Sequence, residues 1–411
     1  MQRPNDPHLV RRAVATALAL ASVVLTGACT TGSAGRPAEP AVSVLGLTTT
    51  RAGAPSTGPT GASASPTATA SATASPPATP TTPATPTAPA TPTPLPAPAG
   101  RAPTGRAVTI AFGGDVHFEG ASRAALSGFG PVAAVLSRAD LAMVNLETAV
   151  TWRGSPQPKE FNFRAPPAAF AALAGAGIDV ATMANNHGMD YGLVGLRDSL
   201  AAAAAVKFPV VGIGADETAA FAPYRRLING QRVAIIGATQ VLDDQFIDTW
   251  SAGPRKPGLA SAKHVSKLLA AVASARLSAD TVVVYLHWGA ELAACPTANQ
   301  RALEPRLVAA GADVVVGSHA HVLLGGGWTR EGAYVDYGLG NFVFYASGGA
   351  SAQTGVLLLT IRGRAVTGAT WQPAVIASGR PVPLTGTAAT DAAKRWSRLR
   401  SCTGLAARRP T

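Results

Sequence analysis

Residues 108–117 read VTIAFGGDVH, an apolar run that leads directly into two glycines and then Asp115 and His117. Four later apolar runs, at 141–144, 180–183, 282–286 and 314–316, end in the same abrupt way. The motifs that follow them are Asn145-Leu146-Glu147, Ala184-Asn185-Asn186-His187, His287-Trp288-Gly289-Ala290-Glu291 and Gly317-Ser318-His319-Ala320-His321. Short apolar runs are typical of buried parallel strands, so the pattern predicts a sheet whose strands end in polar residues.

Ala- and Leu-rich stretches of helical character lie between these runs, at 167–176, 193–205, 261–277 and 299–310. The last part of the region instead contains strand-like segments alone, at 334–345, 356–361 and 367–376. Strands that alternate with helices and are followed by further strands predict an α/β domain with an added all-strand portion. The whole region, 107–379, is long enough to form a single large core.

The polar motifs are expected to meet, because the carboxyl ends of parallel strands lie at one edge of an open α/β sheet. The side chains among them that can bind a metal are Asp115, His117, Glu147, Asn186, His287, His319 and His321. Imidazole and carboxylate groups together suit Zn, Mn or Fe, and these donors exceed what one tetrahedral ion uses. Two divalent ions that share one carboxylate, either Asp115 or Glu147, would account for the surplus. Such ion pairs activate water for displacement at phosphorus.

Each of these residues has a simpler interpretation when it is taken alone. A histidine after a strand often serves only as a hydrogen-bonding loop residue, Asp115 is placed to cap a helix, and Asn185-Asn186 fits a turn. Five of the seven histidines lie in these motifs, however, and that concentration favours the metal site. Asp190 and Glu291 extend the same motifs, and each fits a supporting or a surface position equally well.

The chain has 411 residues and a formal net charge of +12, which is often associated with nucleic-acid binding. Residues 1–106 contain 7 basic and 2 acidic side chains, and residues 380–411 contain 7 basic and 1 acidic. The region between them contains 20 basic and 19 acidic side chains and is nearly neutral. We therefore expect no nucleic-acid partner, and we expect 380–411 to form a basic C-terminal tail able to contact anionic lipid or polymer.

The N-terminal region predicts export. Residues 1–29 combine a basic start, an apolar run too short for a transmembrane helix and Cys29 in a lipobox-like sequence. We expect a lipoprotein-type signal peptide with lipidation of Cys29, and ordinary signal-peptide cleavage is the alternative. Residues 30–106 consist almost entirely of Ala, Pro, Thr, Ser and Gly, which predicts a disordered linker or stalk. Cys295 and Cys402 fit either a disulfide or two free thiols.

In their order along the chain the motifs resemble the CapA-type bacterial capsule (poly-γ-glutamate) synthesis family, which is similar to the calcineurin-like metallophosphoesterases. Further matching segments are Gly114-Asp115-Val116, Val144-Asn145-Leu146-Glu147-Thr148, Phe161-Asn162-Phe163-Arg164-Ala165-Pro166, Asp190-Tyr191-Gly192 and Tyr337-Gly338-Leu339-Gly340-Asn341-Phe342. The resemblance covers about 108–376. It implies a four-layer α/β/β/α sandwich with a dinuclear metal centre.

The resemblance also implies which residues would hold the two ions. One ion would bind Asp115, His117 and His321, the second would bind Asn186, His287 and His319, and Glu147 would bridge them. Phosphoesterases have Asp where this chain has Glu147, and many capsule-family members have an apolar residue where it has His117.

Catalytic and substrate-binding roles follow from the same resemblance. His187 would contact the leaving-group oxygen or phosphate as a catalytic residue, together with Asp190. Arg164, Asn145 and Glu291 are the candidate substrate-binding residues, and Arg164 would bind an anionic substrate. A surface salt bridge is an equal alternative for Arg164.

Together these features predict an extracytoplasmic protein, lipid-anchored to the outer face of the bacterial cytoplasmic membrane. Its domain would be a metal-dependent hydrolase acting on a phosphoester or related bond of an anionic cell-envelope polymer. The alternative is a non-catalytic metal-binding component of a capsule polymer synthesis or export assembly, with other capsule synthesis proteins as partners. Amide-bond hydrolysis on poly-γ-glutamate or peptidoglycan is a weaker hypothesis. No loop of the Gly-x-x-x-x-Gly-Lys type occurs, so an ATP-using ligase is not expected.

Overall fold

Two β-sheets lie at the centre of the computed structural model, which describes residues 106–411. The predictions for the export signal, Cys29 and the stalk lie outside the described residues. The strands are β1 (Val108–Val116), β2 (Leu141–Leu146), β3 (Ala149–Val150), β4 (Arg164–Ala165), β5 (Val180–Thr182), β6 (Val210–Val211), β7 (Ile213–Gly214), β8 (Tyr224–Ile228), β9 (Gln231–Thr239), β10 (Gly258–Leu259), β11 (Thr281–His287), β12 (Val314–Ser318), β13 (Gly326–Trp328), β14 (Tyr334–Asp336), β15 (Asn341–Val343), β16 (Gln353–Arg362), β17 (Ala365–Ala377) and β18 (Arg380–Pro383). The α-helices are α1 (Ala133–Leu136), α2 (Ala168–Gly175), α3 (Gly192–Ala205), α4 (Glu217–Phe221), α5 (Ile247–Trp250), α6 (Val265–Arg276), α7 (Ala298–Ala310) and α8 (Gly386–Leu399).

The larger sheet has eight strands in the order β18-β17-β16-β1-β2-β5-β6, and β15 pairs with the end of β1. Its strands β1, β2, β5 and β6 are parallel, whereas β16, β17 and β18 form an antiparallel extension. The smaller sheet has the order β13-β14-β12-β11-β9-β8, and β9, β11, β12 and β14 are parallel. The predicted α/β region and its all-strand portion are therefore both present.

The two sheets face each other across one buried core. Successive side chains of a strand point to opposite faces, and in β1 Ile110 and Phe112 join this inner core while Ala111 joins the outer one. Val283 and Tyr285 of β11 belong to the inner core as well. Helices α2 and α3 pack on the outer face of the larger sheet, and α6 and α7 pack on that of the smaller sheet. The four-layer α/β/β/α sandwich is confirmed.

Local sequence explains where helix α7 begins and ends. Thr297 accepts a hydrogen bond from the Gln300 backbone, and the Gln300 side chain accepts one from Thr297, so the two form a capping box. Gly311 ends the helix with φ of 113°, a conformation that side chains other than glycine rarely adopt. The next strand, β12, leads directly to two of the histidines at the sheet edge.

A close backbone approach positions the end of β1. A Cβ atom on Gly114 would lie 1.9 Å from the Gly340 carbonyl oxygen, so only glycine fits there. The following residue, Asp115, donates its backbone N–H to that same oxygen at 2.9 Å. The segment between β14 and β15 therefore fixes the position of the Asp115 backbone.

Residues 380–411 are part of the folded domain rather than the separate tail that the sequence predicted. Strand β18 pairs with β17, and Trp396 of α8 stacks on Trp371 of β17 with ring centroids 5.1 Å apart. The Ala406 backbone exchanges two hydrogen bonds with Trp328. The sequence did not reveal this packing, because the segment is rich in basic residues and Trp396 is the one buried residue of α8. Within the described residues no helix is long and apolar enough to span a bilayer.

Cys295 and Cys402 form a disulfide, which decides between the two interpretations left open by the sequence. The bridge joins the loop after β11 to the segment after α8, over a sequence separation of 107 residues. Closing so long a loop restricts the unfolded chain strongly, so the disulfide stabilises the folded state.

We expect the double variant Cys295→Ser/Cys402→Ser to lose about 3 kcal/mol of unfolding free energy, because the unfolded chain regains its loop entropy. Guanidinium unfolding of the variant and the wild type, each with and without reductant, measures this. The wild type should be destabilised by reductant and the variant should be insensitive to it. An equal response of both proteins to reductant would contradict the prediction.

Candidate metal centre

Asp115 lies near the end of β1 and is fully buried. Asn145 Nδ2 on the neighbouring parallel strand β2 donates to Asp115 Oδ1 at 2.8 Å. The backbone N–H of His319 donates to the other oxygen, Oδ2, at 3.1 Å. Asp115 therefore joins the larger sheet to the loop that follows β12 of the smaller sheet.

Glu147 follows β2 directly and is also fully buried. Neither carboxylate oxygen accepts a hydrogen bond from any residue between 106 and 411, and His287 Nε2 lies 3.3 Å from Oε1. Burial raises the pKa of Glu147 well above its usual value, and the neighbouring Asp115 raises it further. A buried carboxylate without donors is costly, and a bound cation would remove that cost.

Three histidines converge on these carboxylates. His287 Nε2 lies 2.7 Å from Asn186 Oδ1, and His287 Nδ1 lies 3.1 Å from Ser318 Oγ. The rings of His287 and His319 are 4.7 Å apart, and His319 Nδ1 is buried without a hydrogen-bond partner in the described chain. His321 Nδ1 lies 3.6 Å from Asp115 Oδ2.

The turn that carries His319 and His321 has an unusual backbone. The backbone φ is 96° at His319 and 55° at His321, and neither residue is a glycine. Such conformations are rare for residues with a side chain and concentrate at functional sites. Two ligand-type residues are thereby brought to the same edge of the sandwich.

Burial controls the charge of the histidines. It lowers the pKa of His287 to about 3, although Asp115 partly opposes this effect. Burial also lowers the pKa of His319. Burial disfavours the charged form of His321 too, but Glu147 and Asp115 outweigh it and raise the pKa of His321. Neutral imidazole is the form that binds metals, so His287 and His319 have the required state.

Among the described residues the donor atoms form three overlapping groups, each with its atoms within 4.8 Å of one another. One group is Glu291, His319 and His321. The other two are Glu147 with His287 and His319, and Glu147 with Asp115 and His321. Glu147 belongs to both of these, which is the arrangement expected of a carboxylate between two cations. The mixed nitrogen and oxygen donors and the unpartnered Glu147 oxygens fit divalent Mn, Zn or Fe.

His117 lies outside all three groups. Its Nδ1 accepts a hydrogen bond from the Glu119 backbone N–H at 3.0 Å and lies 3.1 Å from Ser122 Oγ. Its ring stacks on Phe163 and meets Phe344 edge-on, and its Nε2 is buried with no hydrogen-bond partner among the described residues. Its assignment as a metal ligand stays a prediction.

His187 and Asp190 lie together beside these groups. His187 Nδ1 is 2.6 Å from Asp190 Oδ2, which also accepts the Phe163 backbone N–H at 2.6 Å. Lys159 Nζ lies 3.0 Å from Asp190 Oδ1 and donates to the Asn186 carbonyl. Burial raises the pKa of Asp190 to about 7, although Lys159 and the Phe163 N–H oppose the shift.

The three predicted substrate-binding residues occupy different settings. Asn145 is fully buried and contacts Asp115, His287 and Asn185, which favours an orienting role. Glu291 is exposed, and its carboxylate lies within 4.8 Å of donor atoms of His319 and His321. The Arg164 guanidinium lies 3.7 Å from the centre of the Tyr191 ring, and no salt bridge of Arg164 occurs among the described residues.

Sequence reasoning did not assign two residues that support the site. Lys159 lies in a loop without a recognisable motif, so only the tertiary structure reveals its contacts with Asp190 and Asn186. Asn341 Oδ1 lies 2.8 Å from His321 Nδ1, and a side chain in this position orients the imidazole. Asn341 was detectable, because it lies in the matching segment that begins at Tyr337.

The four-layer sandwich, with histidine and carboxylate side chains at its strand ends, defines the class as an α/β protein with a candidate metal centre at one edge of its sheets. Residues 109–346, more than half of the chain, match the family described as bacterial capsule synthesis protein PGA_cap. The chain belongs to this family, and the resemblance inferred from its motifs is confirmed.

Curated relatives agree with this assignment. The chain is 33% identical over 218 residues to the "capsule biosynthesis protein CapA" of Bacillus anthracis, which covers 52% of each protein. It is 32% identical over 214 residues to the "PGA biosynthesis protein CapA" of Bacillus subtilis, covering 51% of this chain and 54% of that protein. The chain thus spans about half the length of the curated relatives it matches.

Solved structures with a similar arrangement are more distant. A hypothetical protein from Thermus thermophilus is 18% identical with a TM-score of 0.43, over 66% of this chain and 100% of that one. A phosphatase from Mycoplasma pneumoniae is 16% identical with a TM-score of 0.43, over 66% of this chain and 95% of that one. Likenesses this distant say nothing about activity.

We expect Glu147→Gln to stabilise the metal-free protein at neutral pH by about 1–3 kcal/mol, because the neutral amide replaces a carboxyl group whose ionisation is disfavoured by burial and by Asp115. The same variant should lose the stabilisation that Mn²⁺ or Zn²⁺ gives the wild type, about 2.7 kcal/mol at a hundredfold excess over Kd. Thermal unfolding with chelator and with each metal measures both effects.

Glu217→Gln is the matched control, since this carboxylate pairs with Lys267 away from the site. It should respond to metal as the wild type does. If Glu147→Gln retained the full metal-dependent stabilisation, Glu147 would not be a ligand.

Proposed function

We propose that the domain is a metal-dependent hydrolase that acts on a phosphoester or related bond of an anionic cell-envelope polymer. The observation that carries this proposal is the position of Glu147, buried, unpartnered and shared by two groups of donors. One structural cation would need only one such group. Two groups with a common carboxylate are the donor set of a hydrolytic pair of ions.

The chain's own residues would hold the two ions as follows. Glu147 would serve both ions, because it belongs to one group with His287 and His319 and to another with Asp115 and His321. Asn186 Oδ1, beside His287 Nε2, is available to the first group. When bound, divalent ions supply Lewis-acid activation of water and stabilise charge on substrate oxygens. Asn145 and Asn341 hold Asp115 and His321 in orientation.

His187 is proposed to handle the proton of the leaving group. Asp190 accepts from the Phe163 N–H and lies beside Lys159, so it serves as acceptor for a proton on His187 Nδ1. This arrangement fixes the imidazole tautomer and leaves Nε2 as the atom that exchanges a proton with substrate. Phe163 stacks on the His187 ring at 4.0 Å and restricts its rotation.

We also propose that the domain works outside the cytoplasm, lipid-anchored through Cys29. The Cys295–Cys402 disulfide supports this, because disulfides persist mainly in oxidising compartments. The names of the Bacillus relatives support a role in capsule or poly-γ-glutamate biosynthesis.

A second candidate is a non-catalytic metal-binding component of a capsule polymer synthesis or export assembly. It is favoured by the burial of the site, since Asp115, Glu147 and His287 have no exposed surface. Such a closed centre suits a structural role. Other capsule synthesis proteins would then be its partners.

Turnover distinguishes the two candidates. We expect the purified full chain to contain about two divalent ions per molecule and to hydrolyse bis(4-nitrophenyl) phosphate. Asp115→Ala and His287→Ala should each lose metal and reduce kcat/KM at least about a hundredfold, because each removes a donor. Elemental analysis and steady-state kinetics measure the two quantities.

His264→Ala is the matched control, since His264 lies at the start of α6 outside all the donor groups. It should keep full metal content and activity. Metal without turnover would establish the assembly role, and a wild-type protein free of metal would end both proposals.

His187→Ala should lower kcat by about 10²- to 10⁴-fold while the metal content stays at the wild-type level, because His187 is in none of the donor groups. Asp190→Asn should lower kcat less, since the imidazole remains present but loses its orientation. Single-turnover kinetics with parallel metal analysis checks both variants. Unchanged kcat in His187→Ala would refute the proposed proton-transfer role.

A further inference from the structure

A depression of about 570 Å³ lies where the C-terminal half of α7 meets the turn between β13 and β14 and the turn between β16 and β17. We call it the α7 pocket. Its apolar wall consists of Val308 and Ala309 of α7 together with Ala312 and Ala333. Pockets that bind small molecules are typically of this size, mostly apolar and equipped with a few charged groups. The α7 pocket therefore has the dimensions and the lining of a small-molecule site.

The α7 pocket lies at the opposite end of the smaller sheet from the candidate metal centre. Asp313, which lines the pocket, directly precedes β12, whereas His319 directly follows it. The five residues of β12 span about 17 Å in an extended strand. A small molecule in the pocket would therefore not contact the donor groups, so the pocket is a separate site.

Arg364 is held at the pocket by a buried carboxylate. Its Nε donates to Asp313 Oδ1 at 2.9 Å, and Asp313 has only 3% of its surface exposed. Asp313 Oδ2 accepts from Arg276 and from the Val282 backbone N–H. The two terminal nitrogens of Arg364 have no hydrogen bond or ion pair with any residue between 106 and 411. The guanidinium is thus oriented in advance and keeps two nitrogens for a ligand.

A second arginine completes the charged side of the pocket. Arg409 lies over the turn between β13 and β14, because a Cβ atom on Gly332 would lie 3.7 Å from Arg409 Nε. Within the described part of the chain neither Arg409 nor the exposed Glu331 of this turn has an ion pair. Asp313 is already shared by two arginines, so cations exceed carboxylates around the pocket. This excess favours an anionic ligand.

The apolar wall and the two arginines together select an amphipathic ligand. A guanidinium group binds a carboxylate or phosphate through parallel hydrogen bonds, and an apolar chain gains free energy when the wall removes it from water. A purely hydrophilic polyanion would leave that wall unused. The large exposed apolar side chains of residues 106–411, such as Trp152 and Leu227, do not line the pocket. Its rim is therefore not suited to insertion into a bilayer.

We propose that the α7 pocket binds a small amphipathic anion. The head group, a single carboxylate or phosphate, contacts Arg364 and Arg409, and the apolar chain packs on Val308 and Ala309 of α7. The pocket is separate from the metal centre, so this inference goes beyond the proposed function and does not depend on it.

Isothermal titration calorimetry of the full chain with octanoate and with octyl phosphate, both kept monomeric, tests the inference. At least one of them should bind, and the tighter one identifies the head group. Acetate, which lacks the chain, and octyl glucoside, which lacks the charge, should bind at least about tenfold more weakly. If neither amphiphile binds, or if octyl glucoside binds as tightly as they do, the inference is wrong.

Arg364→Gln/Arg409→Gln should weaken binding of the preferred amphiphile at least about fivefold, because both head-group contacts are lost. Arg409→Gln alone leaves the buried pair of Arg364 and Asp313 intact and should weaken binding about threefold. Glu331→Gln should instead tighten binding, since it removes the free carboxylate. Unchanged melting temperatures would show that each variant is folded.

Arg362→Gln/Arg408→Gln is the matched control, since these exposed arginines lie within two residues of Arg364 and Arg409 but do not line the pocket. Equal weakening by this control, or normal binding by Arg364→Gln/Arg409→Gln, would overturn the inference. Asp115→Ala should bind the amphiphile as the wild type does. A failure of the proposed metal chemistry is thereby distinguished from a failure of the α7 pocket.

Discussion

The repulsion between two buried carboxylates, Asp115 and Glu147, is the constraint on which the site depends. Each is fully buried, and Asp115 contributes to raising the pKa of Glu147. Asp115 has donors from Asn145 and the His319 backbone, whereas Glu147 has none within the described chain. A fold that brings these groups together without a cation carries a standing electrostatic cost. His287 and His319, which burial holds in the neutral form, are suited to bind such a cation as well.

The packing of the two sheets explains how the fold tolerates this electrostatic cost. The inner core between the sheets is apolar and continuous, so the polar groups are confined to the strand ends. Asp115 and Glu147 come from the larger sheet, whereas His287 and His319 come from the smaller one. The donor groups therefore form only when both sheets are packed against each other, so the candidate metal centre depends on the whole fold.

The C-terminal segment changes the meaning of the chain's positive charge. A tail at 380–411 would be a mobile cationic extension. Instead, the segment forms α8 and the turns after it, covers one side of the sandwich and holds its charges at fixed positions. The disulfide connects this segment to the loop that carries Glu291. The basic C-terminal segment and the loop beside the candidate metal centre are thus joined by a covalent bond.

Local sequence patterns were enough to predict the alternation of strands and helices and the resemblance to the family, and that resemblance implied the α/β/β/α architecture that the structure shows. An apolar run followed directly by Asp, Glu, Asn or His both forms a buried strand and places a donor at its end, so each of these features is encoded in one short segment. The four predicted helices also occurred, at α2, α3, α6 and α7.

Tertiary packing was needed to decide which donors share a group, how Lys159 supports Asp190, that His117 lies apart and that 380–411 is folded. The physical reason is that these outcomes depend on contacts between residues far apart in the chain. Such contacts arise from the packing of one sheet on the other and leave no periodic signal in either segment alone. The pairing of Cys295 with Cys402 belongs to the same class, since spacing does not determine which thiols meet.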